Sequence, residues 1–146
     1  PEFLFLRETV GKLDDFALAS RLSYFLWSTM PDAELFKLAE EGKLSRSEVL
    51  RGQVDRMLAS PKARQFTENF VGQWLNLRDI DFTAPDFRLY PEFDDVLKTA
   101  MVKEVLLFFD EVLRNDLSLT NFVASDFTML NARLATHYGI SGVVGA

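Results

Sequence analysis

Phe93 to Arg114 reads FDDVLKTAMVKEVLLFFDEVLR, and this stretch decides the fold. Wound at about 3.6 residues per turn it presents two adjacent apolar rows. One is Phe93, Leu97, Met101, Val105, Phe108 and Val112; the other is Val102, Leu106, Phe109 and Leu113. Asp94, Asp95, Lys98, Lys103, Asp110, Glu111 and Arg114 take the remaining arc. An apolar face this wide suits a helix packed by several neighbours rather than a narrow surface seam. Asp94 and Asp95 open it and Arg114 closes it, the signs the helix dipole favours at each end. The stretch predicts the central helix of an all-α domain and carries no chemistry of its own.

Upstream, the same period predicts four more helices. Helix one runs from Asp15 to Ser28, with Leu18, Leu22 and Phe25 in a row that Ala19, Leu26 and Trp27 widen. Pro31 ends it, since proline lacks the N–H that a continuing helix needs. Asp32 is the expected N-cap of helix two, Ala33 to Glu41, and Gly42 its stop. Ser45 and Glu48 are spaced as a capping box for helix three, which runs to Ala59 with Leu50, Val54, Met57 and Leu58 inward. Ser60-Pro61 reads as cap plus first helical residue of helix four. That helix extends to Leu77 with Ala63, Phe66, Phe70, Trp74 and Leu77 on one face.

Arg78 to Pro91 breaks the periodicity. It holds two prolines and three aspartates, yet also Ile80, Phe82, Phe87, Leu89 and Tyr90, so it is expected to strap across the bundle as a packed loop. After Arg114 the elements shorten: Ser118 caps a turn or two, and Asn131 caps a short helix that Gly139 ends. The expected fold is therefore a helical bundle of about five main helices plus short C-terminal ones. Residues 1–12 are expected to be an N-terminal arm or the tail of a preceding module. Residues 13–140 form the helical domain, and 141–146 a linker to a following one.

Composition excludes several function classes. The chain has 146 residues, 14 of them Phe, and a net charge of −6. That acidity argues against a broad nucleic-acid footprint and against docking on anionic membranes, both of which need a positive field. The tetrapeptide Phe3-Leu-Phe-Leu6 is too short to span a bilayer, so no membrane insertion is expected. With no cysteine there is no disulfide, thiolate zinc site, cysteine nucleophile or Cys-x-x-Cys-His haem attachment.

Few residues suggest chemistry. His137 is the only histidine. A Ser-His-Asp triad would need it as base, but no Gly-x-Ser-x-Gly is present. It is read as closing its helix or bonding a neighbour, with a metal-ligand role as the alternative; Tyr138 follows it. Asp79-Ile-Asp81 is similar to the start of a calcium loop but lacks the glycine turn and the distal glutamate. No Glu-x-x-His and no glycine-rich phosphate loop occurs. Arg21 stands out as a charge on a mostly apolar helix near Tyr24 and Trp27, placed for an ion pair, an aromatic stack or a contact to another domain.

Six phrases carry a resemblance. They are Ser20-Arg-Leu-Ser-Tyr-Phe-Leu-Trp27, Met30-Pro-Asp32, Gln53-Val-Asp-Arg-Met-Leu58, Phe70-Val-Gly-Gln-Trp-Leu75, Pro91-Glu-Phe-Asp94 and Leu134-Ala-Thr-His-Tyr-Gly-Ile140. In this order the chain resembles a planctomycete-type domain of unknown function (domain of unknown function 1592). That domain is found in large multidomain proteins that also carry a c-type cytochrome domain. The resemblance implies an exported fragment of a larger protein, in the periplasm or outside the cell, with no haem or other cofactor in this chain. It supplies no catalytic or binding residues.

The leading expectation is a non-catalytic scaffold or interaction domain whose partners are flanking domains, the cytochrome domain among them. Arg21, Trp27, Asp79, Asp81, His137 and Tyr138 are the candidate contact residues. One alternative is an enzyme or ligand site completed by flanking domains, for which a pocket joining Arg21, Asp79 and His137 would speak. Another is a docking domain for electron transfer with the cytochrome.

Overall fold

The computed structural model describes residues 11–145, so the expected N-terminal arm falls almost wholly outside the described residues. Among those residues the fold is all-α, with six α-helices, short 3-10 turns and no strand. The helices are α1 (Asp15–Trp27), α2 (Ala33–Glu40), α3 (Ser47–Leu58), α4 (Arg64–Trp74), α5 (Asp95–Arg114) and α6 (Ala132–His137). The chain divides into two compact units, Pro1–Phe66 and Thr67–Ala146.

In the first unit, α1 packs on α2 and α3. Asp14 caps α1 by accepting from Ala17 N–H at 2.7 Å, and Ser28, in the left-handed region, ends it. The core is Ala19, Leu26, Trp27, Leu35, Ala39, Leu44 and Met57. Leu18 and Leu22 are only partly buried and Phe25 is exposed, so the inward face is rotated from the expected row toward Ala19, Ser23, Leu26 and Trp27. Phe25 instead meets the edge of Phe66, ring centroids 5.1 Å apart.

Asp32 caps α2 as expected, accepting from Leu35 N–H at 3.0 Å. Gly42 at φ +60° closes that helix, with Gly42 N–H donating to Ala39 C=O and Lys43 N–H to Leu38 C=O. This double bond pattern satisfies two end carbonyls and needs a left-handed residue, which glycine adopts without steric cost. The capping box expected at Ser45 and Glu48 does not form. Arg46 occupies the N-cap position and no side chain caps α3. Leu44 is fully buried, and Arg46 N–H returns to Lys43 C=O, so Ser45 lies inside that turn.

In the second unit, α5 packs against α6 around Leu97, Ala100 and Leu134, with Phe93, Met101 and Leu130 alongside. Asp94 caps α5 through Leu97 N–H at 2.7 Å, which starts the helix two residues later than Phe93. Asn131 caps α6 in the same way at 2.9 Å. Gly139 at φ +69° ends α6, and Ile140 N–H reaches Ala135 C=O. The C-terminal tail returns to this helix, Gly145 C=O accepting from Ala132 N–H at 3.0 Å.

Phenylalanine serves packing here. Phe70 meets Phe109 and Trp74, Phe122 meets Trp74, Phe109 and Phe108, and Phe108 meets Phe127, with centroids 5.1–5.9 Å apart. Tilted and edge-on rings at this spacing are the favoured aromatic geometry. Thr67 and Val71, not Phe70 and Trp74, are the buried residues of α4, because the rings shield one another and leave an outer edge in solvent. α4 stops at Trp74, and Asn76 at φ +50° turns the chain into a 3-10 turn, Leu77–Phe82. The following segment is not packed: Phe82 is 86% exposed, Phe87 76% and Leu89 72%.

Candidate functional site

The sequence candidates fall into three local settings. Trp27 is 4% exposed and donates from Nε1 to Met57 C=O at 2.9 Å. The Arg56 guanidinium carbon lies 5.4 Å from the ring centroid and Lys62 Nζ 4.8 Å. Cations at this range are attracted by the ring quadrupole. Arg56 also reaches Asp32 and Gln53, and Gln53 donates to Glu34 at 2.7 Å. Three of the six family-like phrases therefore interlock here, through Trp27, Asp32 and Arg56. Burial makes Trp27 a core anchor of the first unit. Arg21 is exposed on α1 and is engaged in an interaction of its own.

Burial pulls the Asp32 carboxyl up, but the Arg56 and Leu35 hydrogen bonds and the charges of Arg56 and Lys62 outweigh it, holding it below the ordinary aspartate value.

The second setting is the far end of the other unit. Arg133 donates to Glu92 C=O and to Asp94 Oδ2, the latter at 3.0 Å. His137 Nδ1 lies 4.0 Å from Glu92 Oε1, and its ring sits beside Tyr138. Tyr138 donates its hydroxyl to Glu104 at 2.8 Å, and Thr128 donates to the same carboxylate at 2.6 Å. Burial, then the Glu104 hydrogen bond and charge, push the Tyr138 phenol above its ordinary value. Pro91-Glu-Phe-Asp94 is thus joined to α6 through Arg133, the residue just before Leu134, while His137 stands near Glu92.

The third setting is the segment after α4. Asp79 and Asp81 lie in the 3-10 turn, both exposed. Asp79 C=O accepts from Thr83 at 3.4 Å, and the Asp81 carboxylate faces Lys98 at 3.4 Å. Lys98 is also 3.3 Å from Asp95. Asp95 leads in raising the Lys98 ammonium above its ordinary value, against burial and with help from Asp81. A lysine thus supplies the positive charge beside Asp81. Among the described residues no group of three or more His, Cys, Asp or Glu could hold a metal ion. No hydrogen bond or ion pair links Asp79 to His137, and Arg21 belongs to the first unit.

At the end of the turn and beyond it stand Phe82, Phe87, Leu89 and Tyr90, all exposed. The sequence shows these residues, but their apolarity pointed to a packed strap. Only their exposure marks them as surface.

PSD4, a protein family of unknown function (DUF1592), matches residues 13–140, and the chain belongs to it. No curated protein and no solved structure matches. Among the described residues no helix is long and apolar enough to cross a membrane.

Proposed function

We propose that this chain is a non-catalytic scaffold or interaction domain of a larger multidomain protein, and that residues 78–90 form its principal contact segment. The observation that carries the reading is the exposure of Phe82, Phe87 and Leu89 beside Tyr90. Covering apolar surface is the main favourable term in protein association. The partner is a flanking domain of the same protein, with a c-type cytochrome domain as the candidate implied by the family resemblance. The charged networks around Arg56 and Arg133 support this reading, because each spends its polar groups on holding helices together.

Amide hydrogen exchange on this chain alone and within its parent protein tests the proposal. Protection across 78–90 should rise in the parent. Phe82→Ser combined with Phe87→Ser should abolish that rise while leaving the unfolding midpoint of the chain unchanged, since both rings are exposed. Equal exchange of the segment in both settings would remove the reading.

A further inference from the structure

An open groove of about 300 Å³ lies in the second unit between α4, the 3-10 turn and α5. Leu77, Ile80, Val102 and Leu106 give it an apolar floor. That volume is at the lower end of small-ligand cavities. Its charges run against those of its surroundings. Residues 67–146 hold twelve acidic and six basic side chains, yet three of the six, Arg78, Lys98 and Lys103, line this groove.

Only two acids line it, and both are engaged: Asp81 with Lys98, and Glu68 with a partner of its own. Arg78 and Lys103 have no hydrogen-bond or ion-pair partner among the described residues. Two uncompensated cations over an apolar floor, in an otherwise acidic unit, complement one chemistry: a negative head on a hydrophobic body. We propose that this groove binds a small amphipathic carboxylate, its head met by Arg78 and Lys103 and its body laid on Ile80, Val102 and Leu106. Arginine suits the planar carboxylate because its fork of donors matches both oxygens. Arg78, Ile80 and Asp81 belong both to this groove and to the contact segment proposed above, so the titration is made on the chain alone, where no partner covers them.

Lys103 also lines a second groove, beside Val96, Ala100 and Asn131. Arg133 there is committed to Glu92 and Asp94, so that groove has one cation without a partner. Arg78 therefore distinguishes the two. Octanoate titrated into the chain, followed by amide NMR, should shift Gly72, Ile80 and Val102 saturably. Octan-1-ol and octylamine should bind there more weakly. Arg78→Gln should weaken octanoate up to about fivefold, the upper end for an exposed charge contact, and leave octan-1-ol unchanged. Arg78 is exposed, so the variant is expected to fold, and its unshifted amide spectrum would verify this. Equal affinity for octanoate and octan-1-ol, no saturable shift, or shifts that move to Asn131 and ignore Arg78→Gln would each overturn the assignment.

Discussion

Arg56 grips Asp32 with both terminal nitrogens, Nη1 to Oδ2 at 2.7 Å and Nη2 to Oδ1 at 3.2 Å, while Oδ1 of the same carboxylate caps α2 through Leu35. One side chain thus starts one helix and ties it to another. Asp32→Ala should cost about 1–3 kcal/mol, the loss of an N-cap plus a two-point ion pair. Asp32→Asn keeps an oxygen for the cap and should cost less. Urea unfolding followed by Trp27 fluorescence, in a Trp74→Phe background, reads both; equal losses would mean that the cap contributes nothing and the Arg56 pair carries the whole effect.

The same pair sets an acid response. Because the folded pKa of Asp32 lies below its ordinary 3.8, its contribution is complete above that value. It declines as pH falls through the lower folded value, where the unfolded chain binds the extra proton. Stability of the first unit should therefore fall below about pH 4, and Asp32→Asn should flatten that part of the profile. Superimposable acid slopes for the two proteins would disprove the assignment.

Tyr138 predicts an alkaline counterpart. Its phenol is raised above the ordinary 10.0 by burial and by Glu104, so the folded state holds the proton longer than the unfolded one. The stabilising contribution is present below pH 10 and is lost as pH rises through the folded value. Ultraviolet titration of tyrosinate should show one late phenol that Tyr138→Phe deletes and that Glu104→Gln moves downward.

Trp27→Phe keeps a ring between Arg56 and Lys62 but removes the Nε1–H bond to Met57 C=O. That carbonyl retains Ser60 N–H at 3.2 Å, so the loss should be about 1 kcal/mol, one net hydrogen bond. Trp27→Ala also empties a core site and should cost about 3–5 kcal/mol. Thermal unfolding of both variants checks the ratio, and a comparable cost for each would mean the hydrogen bond, not packing, carries Trp27.

Arg133→Lys should loosen the last helix. Its single ammonium cannot reproduce both bonds, to Glu92 C=O and to Asp94, with the guanidinium's geometry. Amides of Tyr138 and Ile140, which close α6, should exchange on the order of tenfold faster, the effect of about one lost hydrogen bond. Unchanged exchange would place the anchor of α6 in Leu134 alone.

Where polar caps and left-handed glycines govern, sequence and structure agree at most helix ends, the capping box at Ser45 and Glu48 being the exception. Asp32, Ser118 and Asn131 cap where they are expected, Asp94 caps α5 instead of lying in its first turn, and Gly42 and Gly139 end their helices. These are local devices: a side-chain oxygen reaches an N–H two or three residues on, and no distant part of the chain is consulted. The all-α class is local in the same sense, since the apolar period alone announces it. The candidate residues were only partly legible. Trp27 was visible as a residue and its burial was not; Asp81 was visible as an acid and Lys98, its partner, was not.

What the sequence by itself determined is the helical class, most helix boundaries and the absence of any cysteine chemistry. Tertiary structure alone decided which stripe of each helix turns inward, that Phe82, Phe87 and Leu89 stay in solvent, and that Arg78 and Lys103 share one groove. The reason is physical. Caps and periodicity are properties of a few neighbouring residues. Burial and charge pairing are settled by whichever distant side chains arrive, and a segment such as 78–90 reads as core or surface according to whether any do.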